Sequence, residues 1–398
     1  MNGGGDKGIA DRFAPSDRAA QVQLPIIPTV AGWIAETPGT ISLGQGVVHY
    51  GPPRAAIEAI PEFLGSFPHH RYVPDEGLPE LRKAFEEKLR AENGIDAPHE
   101  RRIHVTAGAN QAFFNAVLAV CDPGDEVILL VPYYFNHEMA IRLASAVPVG
   151  VPTDGRLQPD LAAIEAAITE RTRAVVTVSP NNPTGAVYPA ETLSAIHRLC
   201  AGRGIYHISD EAYEYFTYDG ARHFSPGSLG GEHAISLYSF SKAYGMASWR
   251  VGVLVAPEHL HECLMKIQDT VVVCAPAISQ FVALRSLREG RDYCLSRLPV
   301  LSRVRGNIFA RLSELAGVVT VPPALGAFYL FAGVKTDMPA IRLSERLVRE
   351  HKVAVLPGET FGAAAGCWLR IAYGSLREET AAEGIDRLVN GLRAILGR

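Results

Sequence analysis

Lys242 lies in the stretch Ser239-Phe240-Ser241-Lys242, and Arg250 follows eight residues later. A lysine amine can form an imine with a carbonyl cofactor and can act as a base once it is released. The hydroxyls one and three residues before the lysine suit a buried phosphate, and an arginine fork matches phosphate geometry. The spacing therefore predicts a site for pyridoxal phosphate (PLP), with Lys242 as the Schiff-base residue.

Asp210 and Tyr213 come at the end of a predicted buried strand. In open α/β sheets the ligand crevice lies at the carboxyl ends of the strands. A PLP ring that accepts electrons keeps its nitrogen protonated, and a buried carboxylate such as Asp210 can pair with that proton. Tyr213 would donate to the ring phenolate oxygen. The alternative is structural, with Asp210 as a helix cap and Tyr213 as a core residue.

Two turns that follow other predicted strands could hold further groups of the same ligand. In the turn Asn181–Gly185 the Asn182 amide could donate to the phenolate oxygen, although Asn-Pro and Thr-Gly pairs also mark ordinary turns. The turn Thr106–Gln111 lies between a predicted strand and a predicted helix. Its small residues Gly108 and Ala109 would leave backbone N–H groups at the helix N-terminus free to bind an anion.

An aromatic cluster and an arginine in an apolar run add two further candidates. In Pro132–His137 one aromatic ring could stack on a flat cofactor, although aromatic residues after a strand usually pack in the core. Arg370 lies inside the apolar run Trp368–Ala372, where a buried arginine needs a partner. A substrate carboxylate would be a bidentate partner, and an internal salt bridge to Asp or Glu would serve equally well.

The elements that would position these residues alternate between short apolar runs and helical patterns from residue 100 to 256, which predicts parallel α/β units. Consecutive apolar positions are typical of parallel strands that are covered on both faces. The predicted strands are Arg102–Ala107, Glu126–Pro132, Ala174–Ser179, Ile205–Ser209, Ala234–Phe240 and Arg250–Val255. The predicted helices are Pro79–Ala91, Asn110–Val120 and Pro159–Thr169, then a long helix over 257–290 and another over 292–316.

After Val318 the pattern changes to that of a compact α+β unit. Its predicted elements are the strand Gly326–Phe331, the helix Arg342–Glu350, the strand Trp368–Ala372 and the helix Glu378–Leu396. The first 60 residues show no βα alternation, so we expect them to pack on this unit. The predicted division is a flexible tail at 1–12, a small domain of 13–60 and 300–398, and a large PLP-binding domain of 61–299.

Composition restricts the possible function classes. The chain has 398 residues, enough for two domains, and 47% hydrophobic and 20% charged residues are ordinary for a soluble enzyme. A net charge of −4 without a long basic run disfavours nucleic acid and acidic membranes as partners. Six cysteines without a CxxC pair suit reduced thiols in the cytoplasm and argue against a zinc site. No apolar stretch could span a bilayer, and Met1–Asp6 lacks the core of a signal peptide.

Taken in order along the chain, these motifs resemble those of the class I/II aminotransferases of PLP fold type I, the aspartate aminotransferase superfamily. The resemblance covers essentially the whole chain. It depends on Gly46, Tyr72, Gly108-Ala109-Asn110, Tyr134, Asn182-Pro183-x-Gly185, Asp210-x-x-Tyr213, Ser239-x-Ser241-Lys242, Arg250 and Arg370. It implies a three-layer α/β fold, with a mostly parallel seven-stranded sheet in the large domain and a smaller α+β domain built from both chain ends.

The resemblance also implies a role for each matching residue. Lys242 would form the Schiff base and move the proton between substrate and cofactor, with Asp210 and Tyr213 as the other catalytic residues. The remaining roles, in PLP binding and substrate binding, fall on two sets. The cofactor would also contact Gly108, Ala109, Asn110, Tyr134, Asn182, Ser239, Ser241, Arg250 and, from the other subunit of a homodimer, Tyr72. The substrate carboxylate would contact Arg370, Asn182 and the backbone at Gly46.

The implied activity is that of a PLP-dependent aminotransferase, which moves an amino group between an L-amino acid and a 2-oxo acid by a ping-pong Schiff-base mechanism. Apolar bulk in Gly44–Tyr50 and the lack of a second arginine motif favour neutral, aromatic or sulfur-containing substrates over dicarboxylic ones. That preference would be wrong if Arg18, Arg54 or Arg71 enters the pocket.

Other classes of protein use parts of the same pattern. A PLP-dependent lyase, a β- or γ-replacement enzyme and a cyclising enzyme all begin with the same imine, so they stay as alternatives. A cofactor-binding regulator without catalysis is disfavoured, because the chain has no basic cluster. An NAD-binding enzyme is disfavoured because no Gly-x-Gly-x-x-Gly follows the first predicted strand.

Overall fold

The computed structural model describes residues 13–96 and 101–397, and the predicted tail at 1–12 lies outside the described residues. In chain order the strands are β1 (Ile41–Ser42), β2 (Arg101–Thr106), β3 (Glu126–Val131), β4 (Val147–Pro152), β5 (Thr172–Val178), β6 (Tyr206–Asp210), β7 (Ala234–Ser239), β8 (Gly252–Pro257), β9 (Val319–Thr320), β10 (Tyr329–Val334), β11 (Val353–Ala354), β12 (Leu356–Pro357) and β13 (Cys367–Ala372). The α-helices are α1 (Asp17–Ala20), α2 (Ile26–Glu36), α3 (Arg54–Glu58), α4 (Ile60–Leu64), α5 (Pro79–Lys88), α6 (Ala109–Val120), α7 (Phe135–Leu143), α8 (Leu161–Ala167), α9 (Ala190–Arg203), α10 (Phe240–Ala243), α11 (His261–Val272), α12 (Ala277–Arg288), α13 (Gly290–Leu295), α14 (Leu298–Ser313), α15 (Ala340–His351) and α16 (Glu378–Leu396). Within this described part of the chain, no helix combines the length and the apolar character needed to cross a membrane.

The largest sheet has seven strands in the order β2-β8-β7-β6-β5-β3-β4. Only β8 runs against its neighbours, and the pairs β7-β6, β6-β5, β5-β3 and β3-β4 are parallel. The carboxyl ends of the parallel strands therefore meet at one edge of the sheet. This mostly parallel seven-stranded sheet confirms the predicted fold class.

Both faces of this sheet are covered by helices, as the sequence of β3 illustrates. Val127 and Leu129 belong to a core cluster with α6 and α11, whereas Ile128 and Leu130 belong to another cluster with α8 and α9. Successive side chains of a strand point to opposite faces, so a strand buried on both faces needs apolar residues in a row. Helix, sheet and helix form the three layers.

A second unit is built from segments near both ends of the described chain. Its antiparallel sheet has the order β12-β13-β10-β9, and β1 pairs in parallel with β11. Helix α2 packs against α15, and α14 packs against α16. The N-terminal segment thus lies on the C-terminal elements. The division at residues 60 and 300 stays a prediction.

The long helix predicted over 257–290 is wrong as a single element. The chain forms α11 and α12 instead, and Val273 between them has a φ of +64°. A β-branched residue in the left-handed region cannot continue a right-handed helix, and Pro276 precedes the first residue of α12. The helix predicted over 292–316 is likewise α13 and α14, and Pro299 occupies the first turn of α14.

Strand β4 is absent from the sequence prediction. It contains Pro148 and Pro152, which argue against a central strand because proline has no N–H to donate. In the structure β4 lies at the edge of the sheet and pairs with β3 alone. An edge strand tolerates proline, so the two prolines of β4 are compatible with its position at the edge of the sheet.

Candidate active site

The carboxyl ends of β5, β6 and β7 and the first turn of α6 surround a polar cavity of about 130 Å³. Ligands of open α/β sheets bind at this edge because the backbone and the following loops converge there. We call it the inner cavity. Its lining residues are Ala109, Asn110, Tyr134, Val178, Asn182, Asp210, Ala212, Tyr213, Ser239, Ser241, Lys242 and Arg250.

Lys242 lies in the short helix α10, directly after β7. Ser239 begins this helix by accepting a hydrogen bond from the Ser241 N–H at 3.1 Å. The Lys242 amine donates to the carbonyl of Gly46 at 2.5 Å. Burial, helped by the positive charges of Arg370 and Arg250, lowers the pKa of this amine to about 8. Part of the amine population is therefore neutral near pH 7, and the neutral form can attack a carbonyl or accept a proton.

Asp210 ends β6 and is buried with both carboxylate oxygens in contact with protein groups. One oxygen accepts from the Ala212 N–H at 3.0 Å, and the other lies 3.1 Å from Nε2 of His137. The His137 ring stacks on Phe113, with ring centroids 3.9 Å apart. Residues 211–216 form turns and no helix, so the interpretation of Asp210 as a helix cap is wrong.

Asn182 and Tyr213, which line the inner cavity, form a hydrogen bond with each other, and Tyr213 forms another with a third side chain, Tyr329. The Asn182 amide nitrogen donates to the Tyr213 hydroxyl at 3.3 Å, and that hydroxyl lies 2.7 Å from the hydroxyl of Tyr329. Tyr213 and Tyr329 are both buried, and burial raises the pKa of Tyr213 and raises the pKa of Tyr329 to about 12. Both phenols therefore keep their protons at neutral pH.

Arg370 lies on β13 with 2% of its surface exposed. It donates to the Asn182 side-chain oxygen at 2.9 Å and to the Gly44 carbonyl at 2.6 Å, and its Nε is buried without a hydrogen-bond partner. Across residues 13–96 and 101–397, no Asp or Glu forms a salt bridge with it, so the alternative of an internal salt bridge is wrong. Burial lowers the pKa of the Arg370 guanidinium. A buried cation with a free donor is ready for an anionic ligand.

A corner of the inner cavity collects donors for which residues 13–96 and 101–397 supply no carboxylate partner. Arg250 donates to backbone carbonyls of Ala247 and Ala107, at 2.9 and 3.4 Å, and reaches the Ser241 hydroxyl at 3.5 Å. Gly108 precedes α6 with a φ of +87°, and a Cβ there would lie 2.2 Å from Arg250 Nη2. Only glycine permits this approach of the arginine to the helix N-terminus. The corner suits an anion held by a guanidinium and by N–H groups.

Tyr134 lines both the inner cavity and a neighbouring, larger one of about 480 Å³. Its hydroxyl donates to the Asn110 side-chain oxygen at 3.3 Å. The larger space, which we call the outer cavity, shares Tyr134, Asn182, Tyr213 and Lys242 with the inner one. Its other lining residues are Pro25, Ile27, Gln45, Gly46, Val47, Phe135, Asn136, Tyr329 and Arg370.

Tyr72 is not brought into either cavity of its own chain. It is 85% exposed and borders a surface groove of about 900 Å³. The groove is lined by Phe63, His69, His70, Arg71, Tyr72, Cys274, Pro276, Ala277 and Ile278.

The sequence reasoning missed the positions of His137 and Tyr329. His137 was part of an aromatic run to which no specific contact was assigned, and Tyr329 lay in a strand-like run of apolar residues. The available signal was a polar tip at a buried position, because a buried Tyr or His needs a hydrogen-bond partner. Which partner it meets depends on the tertiary structure.

Three comparisons place this geometry beside known proteins. The family profile described as aminotransferase class I and II matches residues 38–388. The aromatic aminotransferase ISS1 of Arabidopsis thaliana is 36% identical over 393 residues, covering 96% of this chain and 97% of that protein. The aspartate aminotransferase of Pyrococcus abyssi is 35% identical over 388 residues, covering 96% and 99% of the two chains. A solved structure of a Thermus thermophilus aspartate aminotransferase tetra mutant complexed with tryptophan has a TM-score of 0.88 and 33% identity, covering 95% of this chain and 99% of that one.

Proposed function

This chain belongs to the class I and II aminotransferase family, and we propose that it takes amino groups from neutral or aromatic L-amino acids in preference to dicarboxylic ones. It is a PLP-dependent aminotransferase that moves an amino group between an L-amino acid and a 2-oxo acid. The lyase, replacement and cyclising alternatives are not favoured, because the relatives are named aminotransferases. The observation that carries the site assignment is the Lys242 amine, which lies in one cavity with Asp210 and Arg250 and has a lowered pKa.

The residues of the inner cavity fit PLP at its phosphate end. The Gly108 position has no room for a side chain, and Arg250 has donors aimed at backbone carbonyls rather than at a carboxylate. A phosphate would accept from Arg250, from Ser239 and Ser241, and from the N–H groups of Gly108 and Ala109. Asn110 would add its side-chain amide.

The ring end of the cavity fits the rest of PLP. When bound, PLP supplies an aldehyde that condenses with amines and a protonated ring that accepts electrons from the substrate. Asp210 would hold the proton on the ring nitrogen, since His137 and the Ala212 N–H keep its carboxylate oriented. Tyr134 would cover one face of the ring, and Tyr213 and Asn182 would donate to its phenolate oxygen.

Lys242 would hold the cofactor and carry the proton at its Nζ. A neutral amine is required for both tasks, and the lowered pKa of about 8 supplies it near neutral pH. The Gly46 carbonyl orients Nζ at 2.5 Å when no covalent bond is formed. Gly46 lies in the outer cavity, so Lys242 stands between the two spaces.

Arg370 would bind the α-carboxylate of the substrate in the outer cavity. Its two existing hydrogen bonds, to Asn182 and Gly44, fix the plane of the guanidinium. The Tyr329 ring packs against the guanidinium, with its centroid 4.7 Å from the guanidinium carbon. A carboxylate would bring the countercharge that this buried cation lacks among the described residues.

The walls of the outer cavity favour a neutral substrate side chain. Among the described residues that line the two cavities, the cations are Lys242, Arg250 and Arg370, and each already has a proposed task. The remaining wall includes Pro25, Ile27, Val47 and Phe135 together with the neutral amides of Gln45 and Asn136. A second carboxylate would lose its hydration there without gaining a cation. The arginines named as exceptions, Arg18, Arg54 and Arg71, do not line either cavity.

The site assignment is tested with purified protein and added PLP. The wild-type chain is expected to develop a visible absorption band, to convert bound PLP to its amine form with a single amino acid, and to release the matching 2-oxo acid. The variant Lys242→Ala should lose the band, whereas Lys266→Ala, at an exposed lysine paired with Glu262, should keep it. A visible band and turnover retained in Lys242→Ala would refute the assignment.

The substrate preference is tested separately in the same half-reaction. We expect kcat/KM for phenylalanine and methionine to exceed that for aspartate by about tenfold or more, the effect of one unpaired buried charge. An aspartate value above the phenylalanine value would refute the preference and leave the aminotransferase activity untouched.

We further propose a homodimer in which Tyr72 reaches the phosphate of the partner subunit. Apart from Arg71, the groove beside Tyr72 is lined by apolar and aromatic side chains, and Leu64 and Phe67 near it are 56% and 71% exposed. Apolar surface of this kind is stabilised when a second protein surface covers it. A second copy of the chain would bring Tyr72 to a site that its own chain does not give it.

The protein is proposed to act in the cytoplasm. All six cysteines are free thiols in the described structure. Burial raises the pKa of Cys200 and of Cys294 to about 12, so these thiols stay protonated. Free thiols of this kind are typical of proteins in a reducing compartment.

A further inference from the structure

The Tyr329 hydroxyl has no assigned task in the reaction, yet this residue touches both halves of the site. Its hydroxyl lies 2.7 Å from that of Tyr213, and its ring lies under the Arg370 guanidinium at 4.7 Å. A Cβ added to Gly46 would lie 2.5 Å from the Tyr329 oxygen, so the loop that carries Gly46 passes directly over the hydroxyl. Tyr329 is fully buried at the start of β10. Its hydroxyl is therefore held in place from several sides.

The direction of the hydrogen bond between the two tyrosines follows from their neighbours. Arg370 can only donate, so the Asn182 atom that it contacts at 2.9 Å is the amide oxygen. The Asn182 nitrogen then faces the Tyr213 oxygen and donates to it at 3.3 Å. This contact removes the usual ambiguity of an amide orientation.

The Tyr213 oxygen has two lone pairs and one proton to place. If Tyr329 donates to it, the two lone pairs are filled by Asn182 and Tyr329, and the proton of Tyr213 is free to point into the inner cavity. If Tyr213 donated to Tyr329 instead, no hydroxyl proton would be left for a ligand at that wall. Burial keeps both phenols neutral, so each has a proton to give.

We propose that Tyr329 is a positioning residue, which donates to Tyr213 and thereby turns the Tyr213 hydroxyl proton toward the phenolate oxygen of PLP. The inference depends on the proposed role of Tyr213. A chain of hydrogen bonds polarises each member, so the donor at its start strengthens the bond at its end. The same tyrosine supports Arg370 through its ring, and the two tasks use different parts of the side chain.

The variant Tyr329→Phe separates these tasks, because it removes the hydroxyl and keeps the ring. Without the donor, Tyr213 stabilises the phenolate oxygen of PLP less well. The proton that this oxygen shares with the Lys242 nitrogen is then bound more tightly. The pH midpoint of the visible absorption change of bound PLP should rise by about half a unit to one unit, the size expected for one neutral hydrogen bond. KM for the amino acid should stay within about twofold, since the ring remains under Arg370.

A matched control is Tyr218→Phe. Tyr218 is buried in the same core cluster as Tyr329, and its hydroxyl donates to the Ala327 carbonyl at 2.7 Å. It does not line either cavity. This variant loses a buried hydroxyl of the same kind, so its absorption midpoint should equal the wild-type value. An equal shift in both variants would overturn the inference.

The double variant Tyr213→Phe/Tyr329→Phe tests whether Tyr329 acts through Tyr213. If it does, the midpoint of the double variant should equal that of Tyr213→Phe alone, because the second change has nothing left to act on. Additive shifts, or an unshifted midpoint in Tyr329→Phe, would overturn the inference. Failure of the site assignment itself would look different, because the wild-type protein would then form no visible band with PLP.

Discussion

Arg370 is a buried cation that the described chain leaves without a countercharge. Its hydrogen bonds go to an amide oxygen and a backbone carbonyl, and one of its nitrogens has no partner. Burying an unpaired charge costs free energy, and a bound anion would offset that cost, so the site favours an anionic ligand. Arg305 is the natural comparison, since it is also buried but pairs with Asp219 at 2.9 Å and with the Ala324 carbonyl at 2.7 Å.

We therefore predict that replacing Arg370 impairs substrate binding, whereas replacing Arg305 impairs stability. Arg370→Ala should raise KM for amino acid substrates on the order of 100-fold, because the charged hydrogen bonds to the α-carboxylate are lost. Arg305→Ala should leave KM unchanged and lower the free energy of unfolding, because the buried Ala324 carbonyl loses its donor. Steady-state kinetics and urea unfolding of both variants measure the two effects. A KM for Arg370→Ala equal to the wild-type value would make that arginine structural.

At the level of single residues, the chemical role of a side chain was easier to predict from the sequence than the partner that it contacts. Lys242, Asp210 and Asn182 could be found because amine, carboxylate and amide follow predicted strands at the positions where a ligand crevice forms. Tyr329 could not, since a tyrosine in an apolar strand is usually a core residue. Its task depends on a partner 116 residues away in sequence, which no local pattern reveals.

At the level of elements, β5, β6, β7 and β13 were predicted within one or two residues of their observed ends, and β10 within three. Both faces of these strands are buried, so their apolar runs are continuous and unambiguous. Prediction failed where local and tertiary preferences differ. Edge strand β4 contains prolines, and the break between α11 and α12 depends on a left-handed Val273 that nothing in its residue type favours.

A histidine cluster between α9 and the sheet gives these elements a pH-dependent stability. His207 on β6 contacts the Thr177 hydroxyl at 2.9 Å and lies 3.3 Å from His197 on α9, with His233 beside them. Burial lowers the pKa of His207 to about 3 and that of His197 to about 4. In the unfolded chain both would titrate near 6.5.

The sign of the effect follows from these directions. Above about pH 6.5 both histidines are neutral in either state, and their contribution to stability is complete. As the pH falls below that value the unfolded chain binds protons that the folded chain refuses, so the free energy of unfolding decreases by about 1.4 kcal/mol per pH unit for each histidine. Urea unfolding at pH 7.5, 6 and 5 should show this decrease. The variant His207→Asn should have a shallower slope, and the exposed His259→Asn should keep the wild-type slope; equal slopes in all three proteins would contradict the prediction.

At the scale of the whole molecule, the site is assembled from segments that lie far apart in sequence. The Gly44 and Gly46 carbonyls from the N-terminal segment contact Arg370 in the C-terminal unit and Lys242 in α10, the helix that follows β7 of the central sheet. The two units therefore share one set of hydrogen bonds at the boundary between the inner and outer cavities. The chain length and the change of pattern after Val318 predicted two units, but the contact between them at Lys242 could not be predicted without the folded chain.

Tyr72 extends this assembly to a second chain. Its side chain is 85% exposed and does not line the cavities of its own subunit, although the family resemblance assigns it to a phosphate. We predict that Tyr72→Phe weakens PLP binding by about tenfold, the effect of one hydrogen bond to a charged group.

A mixed dimer of one Tyr72→Phe chain and one Lys242→Ala chain distinguishes the two possible locations of the contact. If Tyr72 acts across the interface, the one site that retains Lys242 receives an intact Tyr72 from its partner, and PLP should bind there with wild-type affinity. If Tyr72 acts within its own chain, that site carries the phenylalanine, and the affinity should equal that of the Tyr72→Phe homodimer. Titration of PLP into the mixed dimer, purified through two different affinity tags, measures the difference, and the weaker value would rule out a shared active site.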